Sequence, residues 1–357
     1  MAAVLALAMT AAFFAYLQAP ALAAGGDAID SHAVTGDREA ALDYWTPRRM
    51  RAAEPLEAPG APETQVAPQA AGAGPSPTAS ASALSPDTEV PASLASAYPY
   101  RIHGRLFFRY GSDDASCSAT VVTARSRNVI LTAGHCVALP LEGGEPIWAT
   151  NVVFAPAYRD GATPYGTYAG TMLRAPVLWT FENDLTFDVG AINLAPGAGG
   201  QIQDVLGSRG VAFNRPPGRY RRNRTRFKVF GYPAAPAASY NGQRLIECDV
   251  PFKAFESFTL ALAVAPCNMK EGSSGGGFVL SGGLVKSVVS HNGCGTDPSC
   301  TVIAGTHFGN AAFKLWSKAA GGLTKGRRKR LRECRKKRGG KKSVCVSRAQ
   351  TFKPVRS

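Results

Sequence analysis

The sequence predicts an all-β fold, either a barrel or a sandwich, and two observations support that class. From about residue 98 onward, short runs rich in β-branched and aromatic residues recur, and Gly- and Pro-rich loops separate them. The 357 residues also include 38 Gly and 25 Pro, which is high for a helical protein. Hydrophobic residues make up 45% of the chain and charged residues 18%, so the chain can bury a sizeable core.

The sequence patterns predict eight strands and one helix along the chain. The predicted strands are 105–110, 118–123, 128–132, 151–154, 189–194, 227–230, 258–264 and 284–290. One helix is predicted over residues 310–319, because Gly321 and Gly322 follow it as a stop signal.

The N-terminal part predicts export. Residues 1–16 are mostly apolar and uncharged, and Ala21-Leu22-Ala23 supplies the small-x-small pattern that signal peptidase reads. This segment is short for a membrane span, so we expect a signal peptide over residues 1–24 and a secreted, extracellular protein. No Lys or Arg precedes the apolar run, which leaves an uncleaved anchor or an upstream start as alternatives. Residues 25–97 lack apolar periodicity and predict a disordered propeptide or linker.

Charge is concentrated at the other end of the chain. The formal net charge is +15, and residues 325–357 contain fifteen Lys or Arg and one acid, Glu333. We expect a basic tail over residues 324–357 that attaches to an anionic cell-surface polymer and takes no part in catalysis. A solvated tail that only aids solubility is the alternative.

Three segments carry groups that can perform nucleophilic catalysis together. They are Ile130-Leu131-Thr132-Ala133-Gly134-His135-Cys136, Phe187-Asp188-Val189-Gly190-Ala191-Ile192 and Glu271-Gly272-Ser273-Ser274-Gly275-Gly276-Gly277. A serine hydroxyl needs a nearby base, and the base needs a third group that holds its tautomer. We therefore assign Ser274 as nucleophile, His135 as base and Asp188 as the orienting acid. Asp184 is the rival for the last role, and Asp188 is favoured because a strand-like apolar run starts directly after it.

The same glycine-rich turn predicts an oxyanion hole. Gly272 has no Cβ, so it can adopt the backbone that turns its N–H inward, and the second N–H is that of Ser274. Gly275 and Gly276 are expected to leave room for a substrate chain beside the nucleophile.

These motifs resemble those of the chymotrypsin-like (trypsin-like) serine peptidases. Leu131 to Cys136 is similar to that family's histidine motif, Gly272 to Gly276 is similar to its serine motif, and the order His, Asp, Ser is the family's order. Cys117-Ser118-Ala119-Thr120 and Gly231-Tyr232-Pro233 resemble the bacterial branch that includes glutamyl endopeptidases. The resemblance covers about residues 98–323.

The resemblance implies two six-stranded antiparallel β-barrels with a C-terminal helix and the site between them. It implies a serine endopeptidase that hydrolyses protein or peptide substrates through an acyl-enzyme, without a metal or organic cofactor, as a monomer made from a zymogen. Ser273 stands where mammalian digestive relatives have an acid, so any activation would proceed by removal of a segment that blocks or misfolds the site. The wall of the specificity pocket would include Asn268, Ser290 and His291. Neutral Asn268 disfavours a preference for Lys or Arg, and His291 favours acidic or small polar side chains unless it is merely a surface residue.

An even number of cysteines in an exported chain predicts disulfides, and the spacings suit no zinc site. The expected pairs are Cys117–Cys136, Cys248–Cys267, Cys294–Cys300 and Cys334–Cys345.

Two other functions compete with the peptidase. A catalytically silent family member could act as a surface-binding protein, but no triad residue is lost. An esterase of the α/β-hydrolase type matches Gly272 to Gly276 formally, yet its His would follow its Ser in a helix-rich context.

Overall fold

Strands make up most of the regular secondary structure in the described residues. The computed structural model describes residues 27–58, 87–256, 259–293 and 299–356. The strands are β1 Ile29–Ala33, β2 Glu54–Pro55, β3 Asp87–Glu89, β4 His103–Tyr110, β5 Asp113–Val121, β6 Val129–Thr132, β7 Ala138–Leu139, β8 Ile147–Trp148, β9 Thr150–Pro156, β10 Tyr168–Pro176, β11 Gly190–Leu194, β12 Gly210–Ala212, β13 Arg226–Gly231, β14 Ile246–Phe255, β15 Leu262–Val264, β16 Gly277–Leu280, β17 Leu284–Asn292, β18 Ile303–His307 and β19 Thr351–Phe352.

Helices are few and mostly short. They are α1 Arg38–Tyr44, α2 Pro47–Ala52, α3 Ala92–Ala95, α4 Val177–Thr180, α5 Ile202–Leu206, α6 Asn310–Ala319, α7 Lys325–Arg335 and α8 Gly339–Ala349. Two 3₁₀ turns cover Leu185–Phe187 and Pro217–Arg219. Within the described residues, no helix combines the length and the apolar character that crossing a membrane requires.

The strands close into two six-stranded antiparallel barrels, as predicted. The first has the order β10-β11-β6-β5-β4-β9, and β9 pairs with β10 to close it. The second has the order β16-β13-β14-β15-β18-β17, and β16 pairs with β17 to close it. Closure leaves neither barrel with a free edge in these rings. Alternate residues of β14 face the interior of the second barrel. They are the buried residues Ile246, Cys248, Val250 and Phe252.

Sequence patterns located some strands and missed others. The helix α6 begins and ends where it was predicted. Strands β10, β14, β16 and β18 were not among the predicted segments. Residue 258, at the start of the predicted strand 258–264, lies outside the described residues, and β15 covers only its last part.

The N-terminal region differs from the expected disordered segment. Residues 27–58 are folded onto the first barrel, where β1 pairs with β10 and Trp45 is 3% exposed. The Trp45 indole N–H donates to the carbonyl of Asn151 at 2.6 Å. Strand β3 pairs with β14 of the second barrel. The low apolar content of this region did not predict the packing, because much of the packing depends on only two large buried side chains, Trp45 and Met50.

The basic C-terminal region is folded, which differs from the separate basic tail expected over residues 324–357. Helices α7 and α8 form a hairpin joined by the Cys334–Cys345 disulfide, and Leu331 and Ala349 are buried against the core. Strand β19 then pairs with β12, and the guanidinium of Arg327 lies 4.0 Å from the centre of the Phe352 ring. The folded unit thus extends beyond the predicted boundary at residue 323.

The disulfides follow the predicted scheme where the structure describes them. Cys117–Cys136 and Cys248–Cys267 are present beside Cys334–Cys345. Cys300 is disulfide-bonded, and Cys294 lies outside the described residues.

Candidate active site

His135 and Asp188 form a buried pair. His135 lies in the loop after β6. Asp188 directly follows a 3₁₀ turn and precedes β11, which pairs with β6. The His135 Nδ1 atom lies 3.0 Å from Asp188 Oδ2, and the backbone N–H of His135 donates to Asp188 Oδ1 at 2.9 Å. A carboxylate only accepts, so Nδ1 carries the proton and Nε2 is left as the basic nitrogen.

Further hydrogen bonds fix the side chain and the backbone of Asp188. The hydroxyl of Ser290 donates to Asp188 Oδ2 at 2.5 Å, and the hydroxyl of Thr306 donates to the Asp188 carbonyl at 2.7 Å. Burial alone would raise the pKa of Asp188, but the charge and hydrogen bond of His135, with that of Ser290, lower it below its usual value. Asp188 therefore stays ionised beside the imidazole.

Asp184, the rival acid, has a different task. Its carboxylate accepts a hydrogen bond from the backbone N–H of Thr186 at 2.8 Å and caps the 3₁₀ turn. The structure thus places Asp188, and not Asp184, against His135.

Ser274 lies on a turn that the first barrel holds in position. The Ser118 N–H donates to the Ser274 carbonyl at 2.7 Å, and the Ser118 hydroxyl donates to the Gly272 carbonyl at 2.8 Å. The Sγ atom of Cys136 lies 3.9 Å from the same Ser274 carbonyl. Ser118 therefore brings the serine turn up to the strand end that carries His135, a positioning role that the sequence did not reveal.

Glycine is required in this turn for two different reasons. Gly272 has φ +88, which L side chains rarely adopt, and a Cβ there would lie 2.6 Å from the Tyr232 carbonyl. Cβ atoms on Gly275 and Gly276 would lie 2.1 Å from the Thr132 hydroxyl and 1.8 Å from the Phe230 carbonyl. These two glycines allow packing against the protein itself, so the expected room for a substrate chain is not their function.

The two N–H groups assigned to the oxyanion hole are free. Among the described residues, no acceptor lies within hydrogen-bond distance of the backbone N–H of Gly272 or of Ser274. Preorganised, unpaired donors of this kind can bind the oxygen of a developing oxyanion.

A small cavity adjoins Ser274. Its volume is about 10 Å³, and its lining includes Glu57, Met269, Lys270, Glu271, Ser290, His291 and Asn292. Ser290 and His291 thus lie where the sequence placed the specificity pocket. Asn268 does not line this cavity and is half-buried beside Cys267. Its expected place in the wall of the specificity pocket stays a prediction, while Met269 and Lys270 line this cavity.

His291 is a buried residue with defined partners. Its Nε2 lies 3.1 Å from Glu256 Oε2, and its Nδ1 lies 3.1 Å from the Ser290 hydroxyl. Burial alone would raise the pKa of Glu256, but the hydrogen bond and charge of His291 lower it below its usual value. Sequence reasoning missed Glu256, which no motif marks, and it left open whether His291 lay on the surface.

One cluster of metal-ligating residue types occurs among the described residues, and it comprises Cys117, His135 and Cys136. Both sulfur atoms are joined in the Cys117–Cys136 disulfide. Because zinc binds cysteine as the thiolate, these two sulfurs are not available as ligands.

Comparisons with known proteins match this fold and site region. A crystal structure of the protease Anisep from Arthrobacter nicotinovorans is similar, with 31% sequence identity, a TM-score of 0.53 and coverage of 62% of this chain and 96% of the other. The thermostable serine protease AL20 from an extremophilic microorganism has 30% identity, a TM-score of 0.55 and coverage of 65% and 99%. A Glu endopeptidase structure shares the fold at 18% identity and a TM-score of 0.51, with coverage of 66% and 96%.

Comparisons at the sequence level cover less of the chain. No family model matches this sequence. An extracellular metalloprotease of Bacillus subtilis is 31% identical over 121 residues, which make up 34% of this chain and 37% of that protein. The match thus spans little more than a third of the length of that curated relative.

Proposed function

Because this chain belongs to the chymotrypsin-like serine peptidase family, we propose that it is a secreted serine endopeptidase that cleaves peptide bonds through an acyl-enzyme. The observation that carries the proposal is the buried pair of His135 and Asp188, whose basic Nε2 faces no competing partner among the described residues. The export signal in residues 1–24 supports an extracellular location.

Each group has one role in the proposed reaction. The Ser274 hydroxyl attacks the substrate carbonyl while His135 Nε2 takes its proton, and the N–H groups of Gly272 and Ser274 bind the oxyanion. Asp188 holds the imidazole in the required tautomer and stabilises the imidazolium. His135 then gives the proton to the leaving amine, and a water molecule releases the acyl group by the same route. No step requires a metal or an organic cofactor.

The substrate preference we propose is for acidic or small polar side chains before the scissile bond. Support comes from the buried His291 and from the Asn292 amide, which both border the cavity beside Ser274. The Asn292 amide N–H already donates to a carboxylate, that of Glu57, at 3.1 Å. An acidic side chain of a substrate would take the same hydrogen bond from the Asn292 amide.

We also propose that the hairpin of α7 and α8 attaches the peptidase to an anionic cell-surface polymer. The hairpin borders a groove of about 730 Å³ whose lining includes five cations and no acid: Arg219, Arg330, Lys337, Lys341 and Arg348. Clustered cations of this kind attract polyanions through long-range electrostatics.

Labelling with a fluorophosphonate tests the catalytic assignment. We expect the label on Ser274 and loss of peptidase activity in Ser274→Ala, on the order of a millionfold, as for other triad nucleophiles. Ser281→Ala, at an exposed turn, is the matched control and should keep its activity. Unchanged hydrolysis by Ser274→Ala would refute the assignment, whereas a parent that neither hydrolyses peptides nor takes the label would favour the catalytically silent, surface-binding alternative.

A further inference from the structure

A segment of the N-terminal region crosses the catalytic cleft. Residues 53–58, which we call the strap, follow α2 and include β2. Strand β2 pairs with β5 in parallel, with Glu54 opposite Ala115 and Pro55 opposite Ser116. The Leu56 N–H then donates to the Ser116 carbonyl at 3.0 Å. Backbone hydrogen bonds thus dock the strap one residue away from Cys117.

The strap takes the hydrogen bond of the proposed nucleophile. The Ser274 hydroxyl donates to the Leu56 carbonyl oxygen at 3.1 Å. The His135 Nε2 atom is buried and has no hydrogen-bond partner within the described part of the chain. Proton transfer from Ser274 to His135 requires a hydrogen bond between them, so the base cannot activate the nucleophile in this arrangement.

The strap lies in the cleft in a geometry that does not lead to cleavage. An attacked carbonyl would direct its oxygen to the N–H groups of Gly272 and Ser274, and both are unpaired within the described residues. The Leu56 oxygen instead accepts the hydrogen bond of the Ser274 hydroxyl. The side chain that reaches the cavity belongs to the following residue, Glu57, whereas in a substrate the pocket side chain and the attacked carbonyl belong to one residue.

Glu57 closes the cavity from the outside. Its side chain is partly exposed to solvent, and its Oε1 accepts a hydrogen bond from the Asn292 amide at 3.1 Å. The remaining volume of about 10 Å³ leaves no room for a substrate side chain.

A buried cation anchors the start of the strap. Arg105 is 2% exposed, and its guanidinium donates to the carbonyls of Met50 and Ala53, each at 3.0 Å, and to the Ser116 hydroxyl at 2.8 Å. No carboxylate lies within ion-pairing distance of Arg105 among the described residues. Two of the three hydrogen-bond partners of Arg105 are thus carbonyls of the N-terminal region. Ala53, which supplies one of them, is only 4% exposed.

From these contacts we propose that the strap is an intramolecular inhibitor, which must leave the cleft before a substrate binds. The inference rests on the proposed function, since it takes Ser274 as the nucleophile. It adds the residues that block the site, 53–58, and the contact through which they do so.

Two neighbouring alanines provide a matched test on the full chain. Ala53 is buried beside the Arg105 guanidinium, whereas Ala52 is exposed at the end of α2. Ala53→Lys places a second cation against Arg105 and should expel the strap, and Ala52→Lys adds the same charge in solvent. We expect Ala53→Lys to react with a fluorophosphonate roughly tenfold faster or more, because only molecules with an open cleft react. Ala52→Lys should match the parent.

Hydrogen exchange separates release of the strap from misfolding. In Ala53→Lys the Leu56 amide should lose protection while the amides of both barrels keep it. If this variant fails to fold, Leu56→Gly, which removes a half-buried side chain without adding bulk, takes its place and should also label faster than the parent.

The two proposals fail in different ways. Equal labelling rates in the parent and in folded strap variants would overturn the proposal that the strap is an inhibitor. Absence of label on Ser274 in every form, including those with an exchanging strap, would instead overturn the proposed function.

Discussion

The Nδ1 atom of His135 lies 3.0 Å from Oδ2 of Asp188, and both side chains are fully buried. Asp188→Asn keeps the shape of this contact but presents an amide that can force the other imidazole tautomer. We expect turnover to fall by about 10⁴-fold, the loss seen for this change in a Ser-His-Asp triad. Asp184→Asn is the control, because it alters only the cap of a 3₁₀ turn and should lower turnover little. Steady-state kinetics on a peptide substrate, with the strap removed or expelled, decide between the two acids.

Glu271 borders the same cavity as the proposed acid-binding groups and opposes them. Its carboxylate lies close enough to Glu57 to raise the pKa of that residue, in addition to the effect of partial burial. Glu271→Gln should therefore increase the ratio of kcat/KM for a Glu substrate to that for its Gln analogue. The expected increase is up to about tenfold, for roughly 1.4 kcal/mol of repulsion removed. A peptide library cleaved mainly after Lys or Arg would contradict the proposed preference altogether.

The docking of the strap should depend on pH through Glu57. Partial burial and the nearby Glu271 raise the pKa of the docked Glu57, while His135 and His291 act in the opposite direction with smaller effects. The docked form therefore binds more protons than the released form, so docking weakens as the pH rises through the raised pKa. Below the usual pKa of a glutamate, both forms are protonated and the effect is constant.

Comparison with Glu57→Gln isolates this effect from other pH-dependent steps of the labelling reaction. The labelling rate of the parent, divided by that of Glu57→Gln, should rise as the pH increases above about 4 and the parent carboxyl ionises. A ratio that stays constant, or one that falls with pH, would show that Glu57 does not control the docking.

The basic hairpin should bind anionic polymers in a salt-dependent manner. Lys337→Gln combined with Lys341→Gln removes two cations from the groove, and we expect weaker retention of the full chain on cell walls. Retention of the parent should also decline as the Debye length falls from about 10 Å at 0.1 M salt to about 3 Å at 1 M. Arg48→Gln with Arg125→Gln removes two exposed cations elsewhere and serves as the control. Equal retention of both double variants would contradict the proposal.

The motifs of the proposed triad could be found in the sequence because each is local. The residues around His135, Asp188 and Ser274 sit at strand ends and turns whose neighbours in sequence are also neighbours in space. Glu256 and Ser118 could not be found in this way. Their roles arise from contacts made 35 and 154 residues away along the chain.

The folding of the two ends of the chain could not be predicted from composition, because it also depends on long-range contacts. Residues 27–58 and the basic hairpin bury few apolar side chains of their own, and their order depends on the barrels that they contact. Like charges along α7 argue against an isolated helix. The Cys334–Cys345 link, the Thr324 cap and the packing of Leu331 supply what the local sequence lacks.

The hairpin is fixed at both of its ends. The buried α6 precedes it, and β19 follows it as a strand of the second barrel's sheet, with the rings of Trp316 and Phe352 only 4.0 Å apart. A peptidase attached to a surface through this rigidly packed hairpin cannot reorient as it would on a flexible linker. Its cleft would stand at one height and one angle above the polymer, so the substrates within reach would be those that protrude to that level.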